Sequence, residues 1–308
     1  MGGLGGGAAG RSPHVELNEV ELFLQQVLNG LMIGSTYAVV ALGFSLVFSV
    51  MRVVNMAHPE FFMAGAFGAY LTIKYVTTNF LGVLAGGMLL AALVGLLVER
   101  VAIRPVRGRY VMIPFIATSG VGIALQHLAE RVFGSDPVAI APVVPTVSYH
   151  LGPLIVTRMQ LVTFGIAAVL MVALRYYVRN TKWGRATRAV AERPEVAAAF
   201  GVDVNFVSRL TIGISALMAG AAGVTIGLLY TSAWAFMGQL YGLKSFVCML
   251  VAGNRHIEGV MAIGLLLGVL EALVSGYVTS TLRDAVAFAV LVVVLVFKPN
   301  GLFGSYSV

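Results

Sequence analysis

Seven ionisable residues sit inside or beside long apolar runs: His58 and Glu60 in NMAHPEFFMAG, His127 and Glu130 in LQHLAER, then Lys244, Glu258 and Glu271. A charge in an apolar medium is costly, so such residues mark paired groups, polar cavities or pathways. Asn55, His58, Glu60, Lys244 and Glu271 are therefore candidates for a translocation path or gate. Pro59, between His58 and Glu60, predicts a broken helix whose freed carbonyls lie beside charged groups, as in elements that line cavities or gates. The competing reading is an interfacial turn with both side chains among lipid headgroups. Glu130 and Arg131 read as an interfacial pair. Glu271 lies deep in its run and should face the bundle interior, with structural hydrogen bonding and solute contact both open.

Catalytic constellations are not found. The five histidines (His14, His58, His127, His150, His256) show neither HExxH nor paired spacing, so no metal site is expected, and there is no GxSxG elbow. GQLYGLKS (238–245) nearly matches a phosphate loop, but Leu243 occupies the glycine position before Lys244 and no strand precedes it. The chain is therefore expected to be no enzyme, to carry no cofactor and to leave any ATP hydrolysis to another subunit. Cys248, the single cysteine, reads as a small core residue.

The most informative polar segment is TKWGRATRAVAERPEVAAAFGVDVN (181–205). Its composition predicts a short amphipathic helix, with Gly201 as a stop and Asp203 or Asn205 capping the next helix. Val190, Val196, Ala197, Ala199 and Phe200 supply an apolar face; the arginines, Glu192 and Glu195 supply a charged one. Such a helix lies on headgroups or docks into a partner's groove, and the mixed charge with Pro194 favours a partner.

These residues must be positioned by membrane helices. Of 308 residues, 59% are hydrophobic and only 11% are charged, against the ~25% of soluble domains. That excludes disorder and leaves an all-α, polytopic transmembrane helix bundle. The net charge of +7 is no nucleic-acid signal, because Lys and Arg cluster between apolar runs. The runs fall at 22–50, 55–76, 80–98, 111–133, 154–178, 206–230, 240–254, 258–278 and 283–297, with 240–254 short enough to be re-entrant. Residues 1–18 read as a flexible Gly-rich tail without signal-peptide pattern, leaving 19–304 as one transmembrane domain.

Arg100, Arg104, Arg107 and Arg109 form one basic cluster, and Arg175 to Arg193 another, whereas 132–157 holds no Lys or Arg. The positive-inside bias then places both clusters and the C-terminus inside, and 134–153 and the N-terminus outside. Gly264, Gly268, Ala272 and Gly276 form a small-residue ridge on one helix face, suited to close helix packing, as do Gly30 with Gly34 and Gly223 with Gly227.

NGLMIGSTYAVVALGFSLVFSVMRVVNMAHPEFFMAGAFGAYL (29–71) resembles the opening of LivH-type permeases of branched-chain amino acid ABC importers. GRATRAVAERPEVAAAFGVDV (184–204) looks like their ATPase-coupling loop, and RPVRG (104–108), ATSGVGIALQHLAERVFG (117–134) and GYVTSTLRDAVAFAVLVVVLVFKPNGLFG (276–304) also fit. The resemblance implies the ABC importer permease fold with about eight spans, in a bacterial plasma membrane. It further implies a homologous second permease, two cytoplasmic ATP-binding subunits and an extracytoplasmic solute-binding protein as partners. Within the loop it implies Arg185, Arg188, Ala189, Glu192, Glu195, Ala197 and Gly201 as coupling residues. Pro59 and AGNRHIEG (252–259) depart from the family's glycine and GGxGSIPG-like patterns, so permeases for urea or short amides stay open as an alternative. A self-sufficient channel or secondary transporter is the competing class.

Overall fold

The computed structural model describes residues 18–110, 112–253 and 257–303. The expected tail lies outside them except for Asn18, as do Asn254, Arg255 and His256. The helices are α1 (Glu19–Met51), α2 (His58–Tyr75), α3 (Phe80–Val98), α4 (Met112–Phe133), α5 (Arg158–Asn180), α6 (Lys182–Glu192), α7 (Pro194–Ala199), α8 (Val204–Leu229), α9 (Met237–Ala252), α10 (Ile257–Tyr277) and α11 (Arg283–Phe297). Two short antiparallel ladders accompany them: β1 (Val138–Ala139) with β4 (Ser232–Ala233), and the hairpin of β2 (Ser148–Leu151) and β3 (Leu154–Thr157).

The bundle has two ends. One carries the β2–β3 hairpin, tied to α1 where Gln25 accepts from the Ile155 amide and donates to the Ile155 carbonyl, both at 2.9 Å. The other carries the connector α6–α7. Both basic clusters sit at the connector end, since Arg107 donates to Asn205 at the start of α8 and Arg188 of α6 donates to the Arg179 carbonyl; Arg52 joins them by donating to the Ala191 carbonyl of α6.

Seven helical spans are long and apolar enough to cross a membrane: α1, α4, α5, α8 and α10, α3 with its continuation to Val106, and α11 with the helical turn before it (Ser280–Phe297). The other two apolar helices are incomplete. α9 has only 16 residues. α2 starts part-way down the bundle, because His58 bonds the Val40 carbonyl of α1 and Ser215 of α8. That start lies about 15 Å from the end of α1 at Met51, at 1.5 Å per residue. The sequence pattern predicts one partial element; the fold contains two, and they meet. A Cβ on Gly238 would lie 2.1 Å from the Pro59 carbonyl, and one on Gly242 2.3 Å from the Pro59 ring. The glycines of the phosphate-loop look-alike thus seat a proline between two short helices.

The predicted break is displaced. Pro59 occupies the first turn of α2, where its missing N–H costs nothing, and His58 and Glu60 lie on one continuous helix. The break is residues 52–57, entered through Arg52 at φ +55°. Irregular backbone at this depth must find its partners within the protein. Met56 N–H donates to Thr118 Oγ1 of α4 at 3.0 Å, and Ala57 N–H to Asn55 Oδ1 at 3.1 Å.

α1 is the central helix and packs most closely on α10. A Cβ on Gly268 would meet the Gly34 Cα at 2.3 Å and the Gly30 carbonyl at 2.4 Å; one on Gly264 would meet Ala38. With no hydrophobic drive between helices in lipid, such backbone contact supplies the packing energy. Farther along the ridge, Gly276 lies against the Gln26 side chain and Ala272 is buried. α3, α4, α5 and α11 ring this core and turn residues such as Leu93, Ile116, Val169 and Val292 outward.

Gly268→Val forces backbone apart and should lower stability by about 1–3 kcal/mol. Gly120 of α4 has nothing within 4 Å of an added Cβ. Gly120→Ala should therefore leave the melting temperature of the purified protein nearly unchanged in the same thermal-unfolding series.

Candidate functional site

Lys244 and Glu271 meet in the core, each about 1% exposed at the side chain and 2.8 Å apart. Lys244 also reaches Asp284 Oδ1 at 2.8 Å, and Arg283 Nε reaches Glu271 Oε2 at 3.3 Å. Tyr37 of α1 donates to Glu271 Oε2 at 2.9 Å and accepts from Lys244 at 3.3 Å. Two cations and two carboxylates balance, and the cluster joins α1, α9, α10 and α11. Buried pairs of this kind hold position more than they add net stability.

His58, Asn55 and Glu60 form a separate polar zone. His58 lies against Gly43, with the Phe44 ring 4.1 Å away and Ser215 Oγ 3.2 Å from its Nδ1. Gln126 of α4 donates to Glu60 Oε1 at 2.7 Å, while Glu60 Oε2 and Asn55 Nδ2 are buried without a partner among the described residues. Glu130 pairs with His127 at 3.0 Å and accepts from Ser135; the expected partner Arg131 is replaced because His127 lies one helical turn away, on the same face.

Among the described residues, none of the five gate candidates lines either of two cavities at the ends of the bundle. One, of about 340 Å³, opens at the hairpin end; the other, of about 290 Å³, lies at the connector end. Both follow the seam between α1 and α5. On α1 the seam runs through Gln26, Asn29 and Ile33, then Thr36 and Val39, then Leu42, Ser45 and Ser49. On α5 it runs through Gln160 and Thr163, then Ala167 and Leu170, then Leu174 and Val178. Between the cavities a waist at Thr36, Val39, Thr163, Ala167, Leu170 and Thr225 leaves only about 10 Å³. Thr36 Oγ1 is buried at this waist with no hydrogen-bond partner among the described residues. These neutral residues escape a search for charges. A polar stripe at three- and four-residue spacing along two otherwise apolar runs is the signal that finds them.

The seam is joined rigidly to the connector. Thr181 ends α5 and starts α6: its hydroxyl donates to the Tyr177 carbonyl at 2.7 Å and accepts from Gly184 N–H at 2.9 Å. A Cβ on Gly184 would lie 1.9 Å from the Tyr177 carbonyl, so the turn admits only glycine. Tyr177 and Thr187 share a hydroxyl bond of 2.9 Å, and Arg188 donates to the last carbonyls of α5, at Val178 and Arg179. Basic groups satisfy helix C-termini well. Glu258 of α10 braces the same end of α5 through Arg175 at 3.6 Å and Arg179. At the neighbouring joint, burial lowers the Arg107 guanidinium from its ordinary pKa while Glu99, 3.0 Å away, opposes the shift.

The expected single amphipathic helix at 181–205 is two. Pro194 opens α7, Gly201 at φ +83° ends it, and Asp203, not Asn205, caps α8 by accepting from the Asn205 and Phe206 amides. The apolar face divides with it. Val190 and Ala197 pack inward with Val50 and Val207, whereas Val196 is 46% and Phe200 84% exposed. Arg185, Ala189, Glu192, Glu195 and Gly201 are also exposed, and Glu192 lines the connector-end cavity.

Removing one partner of the buried cluster isolates its order. Lys244→Met should destabilise the protein by about 3 kcal/mol, and adding Glu271→Gln should recover most of that loss. A thermal double-mutant cycle on the purified chain checks it.

Residues 26–295 match the family described as branched-chain amino acid transport system / permease component. The high-affinity branched-chain amino acid transport system permease protein LivH of Salmonella typhimurium is 36% identical over 295 residues, covering 92% of this chain and 96% of that protein. The high-affinity permease protein BraD of Pseudomonas aeruginosa is 33% identical over 299 residues, covering 93% and 97%. The probable branched-chain amino acid transport permease protein LivH of Methanocaldococcus jannaschii is 26% identical over 317 residues, covering 94% and 96%. The match takes in the α1–α5 seam, the connector and the buried charge cluster together. With its multi-pass helical bundle, the chain belongs to the branched-chain amino acid transport system permease component family.

Proposed function

We propose that this chain is the solute-conducting permease subunit of an ATP-driven importer for branched-chain and other hydrophobic amino acids. The observation that carries the reading is the seam itself. Two cavities at opposite ends of the bundle are separated by a closed waist, and the helix forming one wall continues through a stiff joint into an exposed connector. That is the arrangement alternating access needs, with a solute path held shut and a handle that moves one side of it.

In this reading the connector end faces the cytoplasm and the hairpin end faces the extracytoplasmic solute-binding protein. The basic clusters at the connector end agree with that orientation. The partners are a homologous second permease and two ATP-binding subunits, in a bacterial inner membrane. ATP is hydrolysed by those subunits, and α7 docks on one of them. The exposed apolar tip at Val196 and Phe200, rimmed by Arg185, Glu192 and Glu195, supports the assignment because buried aromatic anchors carry most interface energy. Arg188 acts differently, by holding α6 to α5.

Phe200 makes no interior contact that folding depends on. Phe200→Asp should leave insertion and thermal stability unchanged while lowering solute-stimulated ATP hydrolysis by the reconstituted transporter about tenfold or more, as loss of an interface anchor does. Full stimulated hydrolysis in that variant would contradict docking through α7.

A further inference from the structure

The hairpin-end cavity has a chemistry of its own. Arg283 lines it, and Arg283 Nε donates to Glu271 at 3.3 Å, while among the described residues nothing bonds its two terminal NH₂ groups. Gln26, Thr163 and Ser275 add neutral side-chain oxygens, and Ile33 and Leu229 form part of an apolar wall. Among the described residues no carboxylate lines the cavity. Its volume of about 340 Å³ falls within the roughly 300–1,000 Å³ of small-ligand sites.

We infer that this vestibule is a solute-binding subsite of the permease for a zwitterionic amino acid with an apolar side chain. The inference rests on the importer reading above and adds a site within the chain. The ligand's carboxylate sits on the free NH₂ groups of Arg283, in the bidentate geometry guanidinium favours. Its ammonium group meets the oxygens of Gln26, Thr163 and Ser275, and its side chain packs on Ile33 and Leu229. Charge arithmetic selects the zwitterion. Lys244 and Arg283 are already balanced by Glu271 and Asp284. A lone anion or cation would add uncompensated charge beside a buried cluster, whereas a zwitterion leaves the sum unchanged. Thr163 belongs to both the vestibule and the waist, so the bound solute waits directly above the closed part of the seam.

Ser275→Cys places a near-isosteric thiol on the vestibule wall, and the native Cys248 is fully buried, so it does not react. The full-length chain, co-expressed with its transporter partners in nanodiscs of a single lipid, is treated with a charged methanethiosulfonate. At ten times the half-protecting concentration, L-leucine should slow modification about tenfold. Isoamylamine, which lacks the carboxylate, should not protect, and Arg283→Gln should abolish protection by leucine. Tyr149→Cys, on the exposed hairpin, should react at the same rate with and without leucine. Equal rates at Ser275→Cys with and without leucine overturn the subsite, including the case in which a lipid headgroup already fills it. Leucine uptake by the same transporter, reconstituted in closed proteoliposomes of that lipid, separates the two claims. Uptake without protection overturns the subsite and leaves the importer reading standing. Failure to take up any branched-chain amino acid overturns the importer reading, and the subsite with it.

Discussion

Backbone polar groups have no water to turn to inside a bilayer, so every departure from regular helix must be sealed within protein. That constraint organises this bundle. The break at 52–57 lies deep beside α4, where Thr118 and Asn55 supply the bonds its amides lack. Two incomplete helices, α2 and α9, can exist only because complete ones enclose them, and they meet at Pro59 against Gly238 and Gly242. The central position of α1 follows. It supplies one wall to the glycine-mediated contact with α10, another to the polar zone around His58, and a third to the seam with α5.

The three contacts differ in kind, and the difference bears on which one can open. Against α10, backbone touches backbone, and the Lys244–Glu271 cluster ties the same pair to α9 and α11. That side of α1 is fixed. Against α5, the contact is a line of side chains with a cavity at each end and a nearly closed waist. A helix packed in this way can separate without breaking a backbone contact or stranding a buried charge. Its stiffness is spent at the joint with α6, where Thr181, Gly184 and Arg188 make α5 and the connector move as one piece.

Much of this is legible in the residues. The runs at 80–98 and 283–297 coincide with α3 and α11, and the small-residue spacing of Gly264 and Gly268 marks the face that packs on α1. The resemblance to LivH-type permeases leads to the right family. The site was less legible. Cost of burial flags Lys244 and Glu271, which hold a junction beside the hairpin-end cavity without lining it, because a charge deep in lipid looks the same whether it holds a bundle or meets a solute. Neutral Asn29, Thr36, Gln160 and Thr163 carry no such cost and become conspicuous only once α1 and α5 face each other. The split of the connector at Pro194 is local and readable, but which apolar residues stay exposed depends on where Val50 and Val207 lie.

In the proposed transport cycle α5 moves against α1. Phe23 of α1 and Leu161 of α5 are both exposed near the hairpin end, so each can carry a nitroxide label. Electron–electron distances between them can be measured on the reconstituted transporter with and without ATP. Movement of α5 gives two distance populations whose balance shifts with nucleotide. A single unchanged distance throughout a cycle that still delivers solute would contradict it.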